Sequence, residues 1–80
     1  SAASDVYKRQ RALDLAARIC EMAPLAVQET KASSKRWIDE GFKATVNAMG
    51  LVQSKLLASD DAKEGVESFV ERRSAQFKGR

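Results

Sequence analysis

Eighty residues, 44% hydrophobic and 31% charged, make one small globular unit or part of a larger one and exclude a disordered tail. A net charge of +3, with acids and bases interspersed along most of the chain, gives no footprint for nucleic acid. No histidine and a single cysteine remove the commonest general base, the commonest metal ligand and any intrachain disulfide. No apolar run approaches the ~18 residues of a membrane span, and no signal-peptide pattern occurs, so a reducing cytoplasmic or organelle-matrix location is expected.

In chain order, residues 1–10 (SAASDVYKRQ) carry no sustained apolar period, although nothing in them would stop a helix from propagating. Residues 11–23 predict a helix. Arg11, Asp14, Arg18 and Glu21 form one narrow polar stripe, which implies burial over a wide arc, with Asp14 and Arg18 as an i,i+4 pair. Cys20, inside that apolar surface, is expected to be a small core residue. Pro24 breaks the chain and starts a second, short helix over residues 25–34, its end marked by Ser33 and Ser34.

Residues 37–57 predict the longest helix, with Ile38, Phe42, Thr45 or Val46, Met49, Val52 and Leu56 at helical spacing. Asp39 and Lys43 would pair on its outside. Gly41 and Gly50 each cost about 1 kcal/mol relative to alanine, unless they admit a neighbouring backbone. Trp37 reads as a core or interface residue.

The last helix has the clearest local signals. Ser59 is placed to cap it, and Asp60, Asp61 and Glu64 put negative charge at the positive end of its dipole. Ala62, Val66, Phe69, Val70 and Arg73 share one face. Glu64, Glu67 and Glu71 are expected to be solvated, and Phe77 to pack the tail. At the far end Arg72, Arg73, Lys78 and Arg80 are opposed only by Glu71. That cluster suits either a bound phosphate or simple compensation of the helix dipole. No strand pattern, repeat or low-complexity segment is present, so the expected fold is all-α.

No metal-ligand spacing, G-x-S-x-G, Walker loop or G-x-G-x-x-G occurs, so the expectation is no metal site and no catalytic residue. Asp60 and Asp61 are adjacent and point about 100° apart on a helix, which suits capping and not a shared acid–base pair.

Three segments together resemble a known family. The string S-D-D-A-K-E-G-V-x-x-F-V-E-R-R-x-x-x-F-K-G-R over residues 59–80 is similar to the C-terminal signature of the crotonase (enoyl-CoA hydratase/isomerase) superfamily. Upstream, Arg11-Ala12-Leu13-x-Leu15-Ala16-x-x-Ile19 and Ala23-Pro24-Leu25-Ala26-Val27-x-x-x-Lys31 resemble that family's preceding segments, in the same order. The likeness covers residues 11–80. Residues 1–10 do not match it; they resemble an adapter-derived stretch met in unrelated translated sequences and are expected to be a non-native extension.

The resemblance implies an all-α fragment: the C-terminal helices of a crotonase-type α/β spiral fold, without the repeated β-β-α core that supplies the oxyanion hole and the acid–base glutamates. Such helices cover the core and make subunit contacts in trimers or dimers of trimers. The family's F-x-E-K residues match Phe69 and Arg72, which would reach the CoA of a neighbouring subunit, Phe69 at the adenosine end and Arg72 at a phosphate. Arginine keeps lysine's charge with a different geometry. Read from the residues alone, Phe69 is also an apolar anchor and Arg72 an exposed helix-end charge. The implied parent is an enoyl-CoA hydratase-like lyase acting on acyl-CoA thioesters in fatty acid metabolism, with no tightly bound cofactor, and the fragment alone would be inactive. The rival expectation is a standalone helical protein-interaction module with a basic C-terminal tail.

Overall fold

A computed structural model describes residues 1–80 as four helices and no strand: α1 (Ala2–Cys20), α2 (Pro24–Glu40), α3 (Phe42–Leu57) and α4 (Asp60–Glu71), followed by an irregular tail. α1 starts well before the expected residue 11. Nothing breaks the helix over 2–10, and the Ser1 side chain caps it by accepting from the Ser4 amide at 3.2 Å. Within α1, Asp14 accepts a 2.9 Å hydrogen bond from Gln10 and does not pair with Arg18. Cys20 is exposed, contrary to the core role expected of it, because no other element covers α1.

Pro24 opens α2 as expected, with Ala23 extended before it. The helix then runs straight through Ser33 and Ser34. The hydroxyls of Thr30 and Ser34 donate to the carbonyls of Ala26 and Thr30, at 2.8 and 3.0 Å, so these polar residues are satisfied by their own helix and do not end it. Lys35 takes Asp39 as its i,i+4 partner in place of the expected Lys43.

The true break is Gly41, inside the region expected to be one long helix. Its φ of 91° lies where side-chain-bearing residues are strained. Its N–H donates to the Trp37 carbonyl at 3.0 Å, while its own carbonyl accepts from the Thr45 amide and hydroxyl at 3.2 and 3.0 Å. One glycine therefore caps the end of α2 and the start of α3. Trp37 and Phe42 meet edge to face across it, with ring centroids 5.4 Å apart. Neither Gly41 nor Gly50 is approached by a neighbouring backbone; the space beside each is open.

α2 and α3 pair as an antiparallel hairpin, their far ends joined by Lys55 and Glu29 at 2.9 Å. α4 leans on α3, and α1 makes little contact with the rest. The result is a slab of 47 × 40 × 16 Å, little thicker than one helix with its side chains (about 10–12 Å). Its radius of gyration is 16.5 Å, against about 12 Å for a compact domain of this length. No apolar residue is buried; Leu13, Ile19, Ile38, Phe42, Met49 and Leu51 all stand in the open.

The two buried residues, Asp61 (3% exposed) and Ser68 (6%), are polar, and both lie on α4. The tail folds back along this helix. The two carboxylate oxygens of Asp61 accept from the amides of Lys78 and Gly79, both at 2.7 Å, and the Asp61 amide donates to the Arg80 carbonyl at 2.9 Å. The Phe77 ring lies against Gly65, and Gly79, at φ 77°, rests near Pro24. Phe77 thus packs the tail as expected, and the tail ties α4 back to the start of α2.

Two predictions follow from the glycines and from this clasp. Gly41→Ala lowers the helical melting midpoint through a backbone cost of about 1–3 kcal/mol, whereas Gly50→Ala raises the midpoint through a gain of up to about 1 kcal/mol in the isolated chain; thermal circular dichroism reads both. Asp61→Asn replaces one acceptor with a donor facing an N–H, so hydrogen exchange at the Lys78 and Gly79 amides accelerates on the order of tenfold or more.

Candidate functional site: the C-terminal end of α4

Ser59 caps α4 as its sequence predicts, accepting from the Ala62 amide at 3.1 Å and donating to the Leu56 carbonyl at 2.6 Å. The two aspartates that follow have separate uses. Asp61 holds the tail, and Asp60 faces Arg80 at 3.6 Å.

Phe69 lies in the last turn of the helix and is 84% exposed, so within this chain it anchors nothing. Val66 and Val70, from the same expected apolar face, are exposed as well. Arg72 is the residue at which the helix ends. Its φ and ψ of 55° and 45° are left-handed, and it is the one non-glycine residue with positive φ. The Arg72 amide donates to the Phe69 carbonyl at 3.3 Å and the Arg73 amide to the Ser68 carbonyl at 3.0 Å. This is a Schellman turn with arginine in the position that glycine usually fills. The left-handed conformation costs an L-residue roughly 1–2 kcal/mol. It also takes Arg72 out of helical register, so its three-residue spacing from Phe69 does not stack the two on one helical face.

The turn is held by Glu64. The Arg73 guanidinium donates Nη1 to Glu64 Oε2 at 2.6 Å and Nη2 to Oε1 at 2.9 Å, a bidentate pair. The Gln76 amide donates to the same Oε2 at 2.7 Å, and Arg73 Nε donates to Glu71 Oε2 at 2.5 Å. The hydrogen bond from Arg73, joined by that from the Gln76 amide, holds the Glu64 carboxyl at about 2, well below its ordinary 4.5. The Arg73 guanidinium is pushed up in turn, first by Glu64 and then by Glu71.

Glu64 is therefore engaged and largely covered, not solvated as expected, while Glu71 is exposed as expected and pairs with Arg73 from the surface; the basic cluster is divided. Arg73 and Arg80 face carboxylates, while Arg72 and Lys78 have no acidic partner. The polar cleft beside Lys78 and Arg80 is also lined by Asp60, Glu64 and Glu67, a charge balance that disfavours a phosphate there. Arg72 lies outside that cleft. The roles of Asp61 and Glu64 are missed by helical periodicity because their partners lie beyond the helix, in a segment with no period. The available signal was two acids at i,i+3, on one face, ahead of a polar tail.

No protein-family model matches the chain. Among curated proteins, a carnitinyl-CoA dehydratase of Proteus mirabilis (strain HI4320) is 40% identical over 73 residues, covering 86% of this chain and 28% of that protein. A 2,3-dehydroadipyl-CoA hydratase of Escherichia coli (strain K12) is 30% identical over 81 residues, covering 96% and 32%. Among solved structures, a probable enoyl-CoA hydratase/isomerase from Mycobacterium abscessus superposes with a TM-score of 0.86 at 34% identity, over 89% of this chain and 28% of that one. The chain thus spans less than a third of the length of the relatives it matches. With four helices and no strand, it is a segment of the crotonase superfamily, matching the C-terminal helical part of that fold.

Proposed function

We propose that this chain serves as the C-terminal helical layer of an acyl-CoA-processing enzyme: it covers a catalytic core, makes subunit contacts in a trimer or dimer of trimers, and lends Phe69 and Arg72 to the CoA site of a neighbouring subunit. The observation that carries this reading is the bare apolar face of a one-layer slab, with no buried apolar residue to make it self-sufficient. Exposed Phe69 and unpaired Arg72, together at one helix end, are the pair that a nucleotide-bearing thioester would use, one for stacking and one for a phosphate.

The parent reaction is hydration of a trans-2-enoyl-CoA or a related step through a stabilised enolate, in the cytoplasm or an organelle matrix, with the CoA thioester as substrate and no tightly held cofactor. Residues 11–80 form the functional layer, and 1–10 are a non-native extension of α1. The bare apolar face weighs against a self-contained interaction module, which would have to bury such a surface within its own fold.

The isolated chain leaves a short trans-2-enoyl-CoA unhydrated and binds a hydrophobic dye strongly. Turnover near that of a complete hydratase, or a cooperative dye-silent monomer, overturns the reading. In the full-length protein, Arg72→Ala raises KM for the CoA thioester about 10- to 100-fold, the worth of one charged hydrogen bond. It leaves KM for the corresponding pantetheine thioester, which lacks the nucleotide, unchanged. Equal effects on both substrates would remove Arg72 from the CoA site.

A further inference from the structure

We infer that Glu64 is a positioning residue that decides which of two adjacent arginines is offered to ligand. The inference rests on the reading of Arg72 as a phosphate partner. Arg72 and Arg73 are chemically identical neighbours, yet the structure separates them completely. Arg73 spends both terminal nitrogens on the two oxygens of Glu64, at 2.6 and 2.9 Å, and its Nε on Glu71. Its fork is filled, and it has no geometry left for a bidentate anion. Arg72 has no acidic partner.

The same carboxylate also holds the backbone that follows them. By accepting from the Gln76 amide at 2.7 Å as well as from Arg73, Glu64 grips the chain on the tail side of Arg72, while the Schellman hydrogen bonds grip it on the helix side. Arg72 is thereby held at a φ of 55°, a left-handed conformation that is uncommon for a residue with a side chain. Releasing Glu64 frees Arg73 to compete for the same anion and lets Arg72 relax toward right-handed φ, which turns its side chain away from the direction it now takes. The residue that orients the contact is thus one carboxylate on the preceding turns of the helix, with no ligand contact of its own.

The test is a KM and kcat comparison in the full-length protein. Glu64→Gln keeps an acceptor but breaks the bidentate ion pair; it raises KM for the enoyl-CoA by about three- to tenfold, the size of one displaced charge-assisted contact. It leaves kcat, and KM for the pantetheine thioester, unchanged. The double variant Glu64→Gln with Arg72→Ala matches Arg72→Ala alone, because Glu64 acts through Arg72. Arg73→Lys, which keeps charge but loses the fork, reproduces Glu64→Gln and tests the same lock if the first variant folds poorly. If Arg72→Ala raises KM while Glu64→Gln and Arg73→Lys do not, the positioning role fails and the phosphate reading stands. If Arg72→Ala itself has no effect on CoA-thioester KM, both fall. Additive effects in the double variant also overturn the positioning role.

Discussion

A helix gains stability by burying its apolar stripe against another layer, and this chain supplies only one layer. A slab 16 Å thick has no interior in which Ile38, Phe42 or Leu51 could be hidden, however well each helix is formed. The wide apolar arc of α1, read from its narrow polar stripe, is real as a surface and unfilled as a contact. The helices, the caps between them and the exposure of most large apolar side chains are consistent with one another once a second layer is supplied from outside the chain.

What organises the slab in the meantime is polar and local. Gly41 caps two helices at once, Ser59 caps the next, and Asp61 and Glu64 gather the tail through backbone amides and one guanidinium. The caps are short-range in sequence, the tail contacts reach across 12 to 18 residues, and neither kind needs an apolar core to form. They also explain why the two buried residues are an aspartate and a serine: a carboxylate that accepts two amides, and a hydroxyl that donates to the Gly65 carbonyl at 2.9 Å, can be covered without loss.

The same distinction governs what was legible in the sequence. Ser59, Pro24 and the all-helical class are declared by residues whose effect is confined to one turn. The end of α2 was misplaced because Ser33 and Ser34 resemble a terminus, yet their hydroxyls can bond back to the helix that contains them. The sequence leaves Gly41 as either a cost inside a helix or a point of close backbone approach, whereas its φ of 91° makes it the boundary; a single glycine in an apolar period does not announce which. Cys20 was assigned to a core on the pattern of its neighbours, and amphipathic pattern specifies a face without saying that the chain contains its cover. At the candidate site, Phe69 and Arg72 were visible through resemblance, but the left-handed turn and the Glu64 clasp depend on a tail whose path no periodicity encodes.

The relatives carry names that differ in acyl group and in the direction of water transfer, while CoA is common to them. This segment has no histidine. It does have, at one helix end, an arginine in a left-handed turn and an exposed aromatic ring. The clasp is built within one stretch: residues 59–80 contain both halves of every hydrogen bond between Asp61 or Glu64 and the tail. The local geometry of this turn is therefore set by hydrogen bonds made within one stretch of the chain.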